Sequence, residues 1–367
     1  MFQALKRLLA GGPPAAAPAP APAPAEPLLV NAYCTNTEVA APPFAHQLVG
    51  RRDRTDPELA GHLDGFLGYV QSRGDGQMSA TRYHVLRHIQ RVQQQLSFSV
   101  PDGLTDALAA WAEDANALLF LPDGHVRDPR GRILVAAADG LPQEDAVVPF
   151  PAEAHARKAR TDALLAARGQ AVPAHLPPVP ATTECRLRAP RDVAGRALAL
   201  FVVALKAESI ATGVPIPTAE LEQRFPRAIP FVSPSERAFL DAGDPSPADT
   251  TQFAWRYECL FLLEWALGLA ATLPWPDTIC DVAFAARTVV ESGDEALLDG
   301  AALRPAAEIL DALDLHYRLH WRVRQAQVDA RPVPDGLDGG VVLERHRALN
   351  WLVRFEDADW DDVDTPT

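Results

Sequence analysis

The sequence predicts an α+β protein. A small α/β N-terminal domain, with a mixed or antiparallel sheet and helices, is followed by an all-α helical C-terminal domain built around a central buried helix. Three observations predict this. Before about Val135, short alternating and β-branched runs are interleaved with helical stripes. From Ala136 to Pro190 the chain becomes proline-rich and loses its apolar period. After Pro190 nearly every apolar run has helical spacing. The expected organisation is residues 1–27 as a flexible Ala/Pro-rich segment, 28–150 as a small α+β domain, 151–189 as a connecting segment and 190–367 as a helical domain.

Composition narrows the function classes. The chain has 367 residues, 48% hydrophobic and 22% charged, which is ordinary for a globular protein of about two domains. A formal net charge of -14 argues against a general binder of nucleic acid or anionic membrane, because both need local positive charge. Cys34, Cys185, Cys259 and Cys280 form no CxxC pair and no metal-ligand spacing, so a reducing compartment is expected, with Cys259, on an apolar helix, as a small core side chain. The start, MFQALKRLLAGG, has too short an apolar run for an export signal, and a cytoplasmic location is the default. Phe2, Leu5, Leu8 and Leu9 are spaced for a short amphipathic helix.

Pro13–Pro27 alternates alanine and proline, which favours polyproline II and an exposed linker. LLVNAYCT, from Leu28, reads as a strand. Leu59, Leu63, Phe66, Leu67 and Val70 make a helical stripe that ends before Gly74–Asp75–Gly76. Tyr83–Gln95 suits helix or strand, and Leu96–Val100 alternates as a strand. Leu104–Asn116 carries Leu104, Leu108 and Trp111 on one helical face. Two β runs then flank PDG and DPRG turns, in which proline presets φ and glycine accepts a positive φ. This order predicts helices on one face of the sheet. His84, His88, Arg82, Arg87 and Arg91 read as a solvated basic face. The Asp123–Gly124 and Asp128–Pro129 turns lack the closing glutamate of a calcium loop.

Glu153–Arg168 is expected as a connecting helix, and Arg191–Thr212, Thr218–Phe225, Asp281–Glu291, Pro305–Asp329 and Val341–Phe355 as helices of the second domain. Ser233 and Glu236 have capping-box spacing. Thr250–Ala271 is apolar all round, the mark of a helix inside a large core. Arg256, Glu258 and Glu264 interrupt it too often for a membrane span, which needs about 20 nearly uncharged residues. Trp360, in the acidic tail, is expected to dock as an anchor.

Those three charges are the informative ones, since buried charges need partners. Arg256 and Glu258 are two apart and point to different sides, so each needs another helix. His316, His320, Arg324, Arg345 and His346 are the candidates. His316 and His320 lie on the apolar face of the Pro305–Asp329 helix, and His346 with Asn350 lies on that of the last helix. Arg256, Glu258, Glu264, His316, His320, His346 and Asn350 therefore form a candidate polar cluster. Its leading reading is a structural hydrogen-bonded network without a cofactor. In the alternative, His316, His320, His346 and Glu264 hold a divalent transition metal, because imidazole and carboxylate are ligands that zinc or iron takes. HxxxH without the glutamate of HExxH does not indicate a metalloprotease, and no GxSxG, Walker or GxGxxG pattern occurs. Whether the chain is an enzyme is left open. The expected function is a cytoplasmic binding or protein-interaction module; the alternative is a metal-dependent or hydrolase-like enzyme using the His/Glu cluster.

WRYECLFLLEWALG, LPWPDTICDV, LRPAAEILDALDLHYRLHWRVR, ERHRALNWLVR and the closing WDDV together resemble the bacterial domain-of-unknown-function 4272 family. The resemblance spans the C-terminal half, with HIQRV and LPDGHVRDPRGRILV similar to the N-terminal half of longer members. It implies a largely helical C-terminal domain and brings no activity, substrate or catalytic residue.

Overall fold

A computed structural model describes residues 26–367. The amphipathic start and most of the alanine–proline tract lie outside the described residues. Strands β1 (Leu28–Cys34), β2 (Gln47–Asp53), β3 (Gln94–Val100), β4 (Ala117–Phe120), β5 (Val126–Arg127) and β6 (Ile133–Val135) form one antiparallel sheet, in the order β2-β3-β1-β4-β5-β6. Between them lie helices α1 (Pro57–Gln71), α2 (Ala80–Arg91) and α3 (Asp106–Asp114), capped by Asp56, Ser79 and Thr105. The ambiguous Tyr83 stretch is helix. Strand β2 has no counterpart in the sequence reading, and the run from Ala117 to Val135 holds three strands rather than two.

The helices do not share one face, which corrects the expected layering. Successive strand residues face opposite ways. Val30, Ala32, Cys34, Leu96 and Phe98 pack on Leu108 and Trp111 of α3. Tyr33, Leu118, Val126 and Leu134 pack on α1 and α2 through Leu59, Phe66, Val85 and Ile89. The sheet is thus covered on both sides. A second correction concerns α2. Arg82 and His88 are buried rather than solvated. Arg82 donates to the carbonyls of Gln77 and Arg73, and His88 bonds the Tyr33 carbonyl at 3.1 Å. The Asp123 and Asp128 turns are locked internally: Asp123 pairs with Arg127 at 2.6 Å, and Asp128 accepts from Arg132 Nε at 2.7 Å.

The two ends of the sheet differ. At β6, Gln143 of the following loop bonds both polar groups of Ile133, at 2.8 and 2.7 Å. Strand β2 pairs with β3 alone, and its register shifts between Leu48 and Gly50.

Helix α4 (Ala152–Ala167) leads into the helical half. There α5 (Pro190–Ala211) is buried without a break from Val193 to Ala204. It shares the core with α9 (Arg256–Ala266), in which all residues are buried. The expected Thr250–Ala271 helix is therefore correct in burial and wrong in continuity. It is split into α8 (Pro247–Ala254) and α9 at Trp255, and it ends at Ala266. The remaining helices are α6 (Thr218–Arg224), α7 (Pro234–Asp241), α10 (Val282–Ser292), α11 (Asp294–Asp299), α12 (Ala306–Val328) and α13 (Gly339–Leu352). The Ser233–Glu236 capping box opens α7 as expected, and Glu236 also pairs with buried Arg196 of α5. Trp360 is buried, with its ring edge-on to Trp351 at 5.4 Å and under the Arg196 guanidinium at 4.9 Å. No helix among the described residues is long and apolar enough to cross a membrane.

Candidate functional site

The cluster is assembled by α9, α12 and α13. Asp338 caps α13 by accepting from the Gly340 and Val341 amides at 2.8 and 3.1 Å. Gly340 then meets Trp255 at the break between α8 and α9. A Cβ at Gly340 would lie 2.6 Å from that indole, so only glycine lets α13 approach so closely. This contact places the first turn of α9 beside the middle of α13.

Two ion pairs join the helices there. Arg256 Nη1 donates to Glu344 Oε2 at 2.6 Å, and Arg345 Nε donates to Glu258 Oε2 at 3.2 Å. Positive and negative residues two apart on α9 thus meet adjacent negative and positive residues on α13. The second oxygen of Glu258 accepts from the Cys280 amide, and Glu344 also accepts from the Cys259 thiol at 3.0 Å. Cys259 behaves as the small core side chain expected, and burial pushes its thiol well above the usual range. Arg345 was foreseen as a partner and Glu344 was missed. The signal for Glu344 is the Glu–Arg order in ERHR, inverse to the Arg–x–Glu order in RYE.

Glu264 is different. It is 0% exposed, and neither carboxylate oxygen has a hydrogen-bond partner among the described residues. Burial alone pushes its carboxyl up to about 9, so it is a neutral acid at pH 7. The expectation that it forms a buried pair is corrected. Arg324, another proposed partner, is exposed and reaches only Gln327.

The histidines meet in part. His320 Nδ1 and His346 Nδ1 are 2.9 Å apart, so one donates to the other, with the rings edge-on at 5.2 Å. His316 Nδ1 donates to the Ala312 carbonyl of its own helix at 2.8 Å. That leaves Nε2 as the acceptor, buried and without a partner among the described residues. Burial, and then the Arg345 charge, lowers His316 to about 3. Burial, and then Arg324, lowers His320 to about 4. Burial also lowers His346 well below the usual range, helped by the other two imidazoles. All three are neutral near pH 7. Asn350 serves elsewhere, donating to the Asp364 carbonyl at 2.8 Å and so holding the tail. Among the described residues no three His, Cys, Asp or Glu side chains are grouped so as to hold a metal.

The Glu258–Arg345 pair also reaches a surface cavity of about 320 Å3, lined in part by Phe261, Cys280, Phe284 and Arg345. Burial, and then Glu258, keeps the Cys280 thiol protonated.

A family model described as Domain of unknown function (DUF4272) matches residues 157–363. That span begins within α4 and takes in every residue of the cluster. No curated protein and no solved structure matches the chain.

Proposed function

The chain belongs to the domain-of-unknown-function 4272 family, and from that premise we propose that it is a cytoplasmic binding or protein-interaction module. One observation carries the proposal. The buried ionisable groups are occupied with one another or held neutral: Arg256 with Glu344, Glu258 with Arg345, His320 with His346, and Glu264 as an uncharged acid. A general acid or base works best with a pKa near the operating pH, and His316 and His320 sit about four and about three units below pH 7. Such a network rigidifies a core and fixes how three helices meet. The net charge of -14 supports a basic partner, and four free cysteines accord with a reducing compartment.

Affinity capture at native expression, followed by titration with the purified partner, tests this. The expected result is a saturable complex that weakens as salt rises. Failure to reconstitute any captured complex from purified components refutes it. The metal-dependent alternative draws on the His320–His346 contact alone. Metal analysis of untagged protein separates the two, since stoichiometric zinc, iron or manganese favours the enzyme.

A further inference from the structure

The cavity beside the cluster has a built polar anchor. Arg345 lines it yet is only 1% exposed, so its guanidinium is held by the fold rather than by solvent. Nε is committed to Glu258 and Nη1 to the Pro274 carbonyl at 2.7 Å. Neither bond uses Nη2, and a donor left over on a guanidinium held in place this way is a strong, oriented hydrogen-bonding group. The walls around it are mostly apolar. Phe261 and Phe284 pack edge-on with centroids 6.2 Å apart, and Ile279 stands exposed at the rim.

The charge pattern selects among ligands. Glu258 already neutralises Arg345, and Asp281 adds a carboxylate to the lining. A ligand carboxylate would bring a further negative charge beside these two, and a ligand amidinium or ammonium has no acceptor to offer the Arg345 N–H. A neutral acceptor takes the free N–H without either cost. The Cys280 thiol leans on the Tyr257 carbonyl at 3.5 Å, and adds apolar surface rather than a nucleophile. A volume of about 320 Å3 is at the small end for ligand sites and suits about one ring.

We propose that this cavity binds a small uncharged molecule in which an aromatic ring carries one carbonyl-type acceptor, the ring against Phe261 and Phe284 and the acceptor on Arg345. The site goes beyond the protein-partner reading and stands or falls without it.

Three probes with one ring and different charge test the proposal: benzamide, benzoate and benzamidine. Each is titrated into the isotope-labelled full chain while backbone amide shifts are followed. The expected result is saturable movement of the Thr278, Ile279 and Cys280 amides with benzamide, and several-fold weaker binding of the two charged probes. Ala271 is an exposed lining residue, and Ala271→Trp should plug the cavity without disturbing the Arg345–Glu258 pair. That variant should keep the wild-type unfolding midpoint and lose the benzamide response. No saturable benzamide response, equal or tighter binding of benzoate or benzamidine, or a response that survives in a folded Ala271→Trp variant would each overturn it.

Discussion

Replacing Glu264 with glutamine should make the protein more stable, by an amount that depends on pH. Glu264 is completely buried without a partner, and its carboxyl is raised from an ordinary 4.5 to about 9. Between those values the native state keeps the proton while the unfolded chain releases it. The native state then binds more protons, so stability falls as pH rises and is unaffected below about 4.5. Each unit corresponds to about 1.4 kcal/mol, which gives about 3 kcal/mol at pH 7. Glutamine has nearly the same shape and never ionises, so it escapes this loss. Urea unfolding of both proteins at pH 5, 6, 7 and 8 reads the difference directly. The gap should be small at pH 5 and widen by about 1.4 kcal/mol per unit. A gap that does not change with pH would show that the Glu264 carboxyl is not raised in the native protein.

Glu258→Ala should be destabilising by about 3–5 kcal/mol, because it strands the buried Arg345 charge; a loss under about 0.5 kcal/mol in denaturant unfolding would contradict its burial. Acid should weaken the fold through His316 and His320. Their native values of about 3 and 4 lie below the ordinary 6.5, so the unfolded chain takes protons first and stability drops as pH falls from about 6.5 towards 4. Imidazole proton shifts in the folded protein should accordingly stay flat from pH 8 to 5. Gly340→Ala should lose about 1–3 kcal/mol and alter tryptophan emission, because the new methyl collides with Trp255.

Much of the helical half was legible because its signals are local. The Ser233 capping box, the Asp281 start and the all-round apolar RYECLFLLEWA each follow from residues within a few positions. The break at Trp255 was not legible. No proline or glycine marks it, and it rests against Gly340 from a distant helix. Strand β2 was missed for a similar reason. QLVGRRD alternates poorly, and only pairing with β3, from Gln47 to Ser99 and onward, makes it a strand. The burial of Arg82 and His88 depends on the Arg73, Gln77 and Tyr33 carbonyls, which one helical stripe cannot reveal. Within the candidate site, burial was legible from pattern, and partners only where a complementary charge stood out. Arg345 was found that way, while the isolation of Glu264 was not, because a missing partner leaves no mark in a sequence.

The irregular pairing of β2 bears on how copies of this chain behave in a crowd. A straight strand at the end of a sheet offers a row of amide and carbonyl groups on which a strand from another molecule can nucleate a growing fibre. Here Leu48 and Val49 are more than half exposed, so side-chain polarity gives little protection at that end. Deterrence falls to the register shift next to Gly50 and to the run Arg51–Arg52–Asp53, which twist and charge the edge. Straightening that run with β-branched residues would favour self-association, and it would also remove the hydrogen bonds that Arg51 and Arg52 give to buried Gln94 and Gln95.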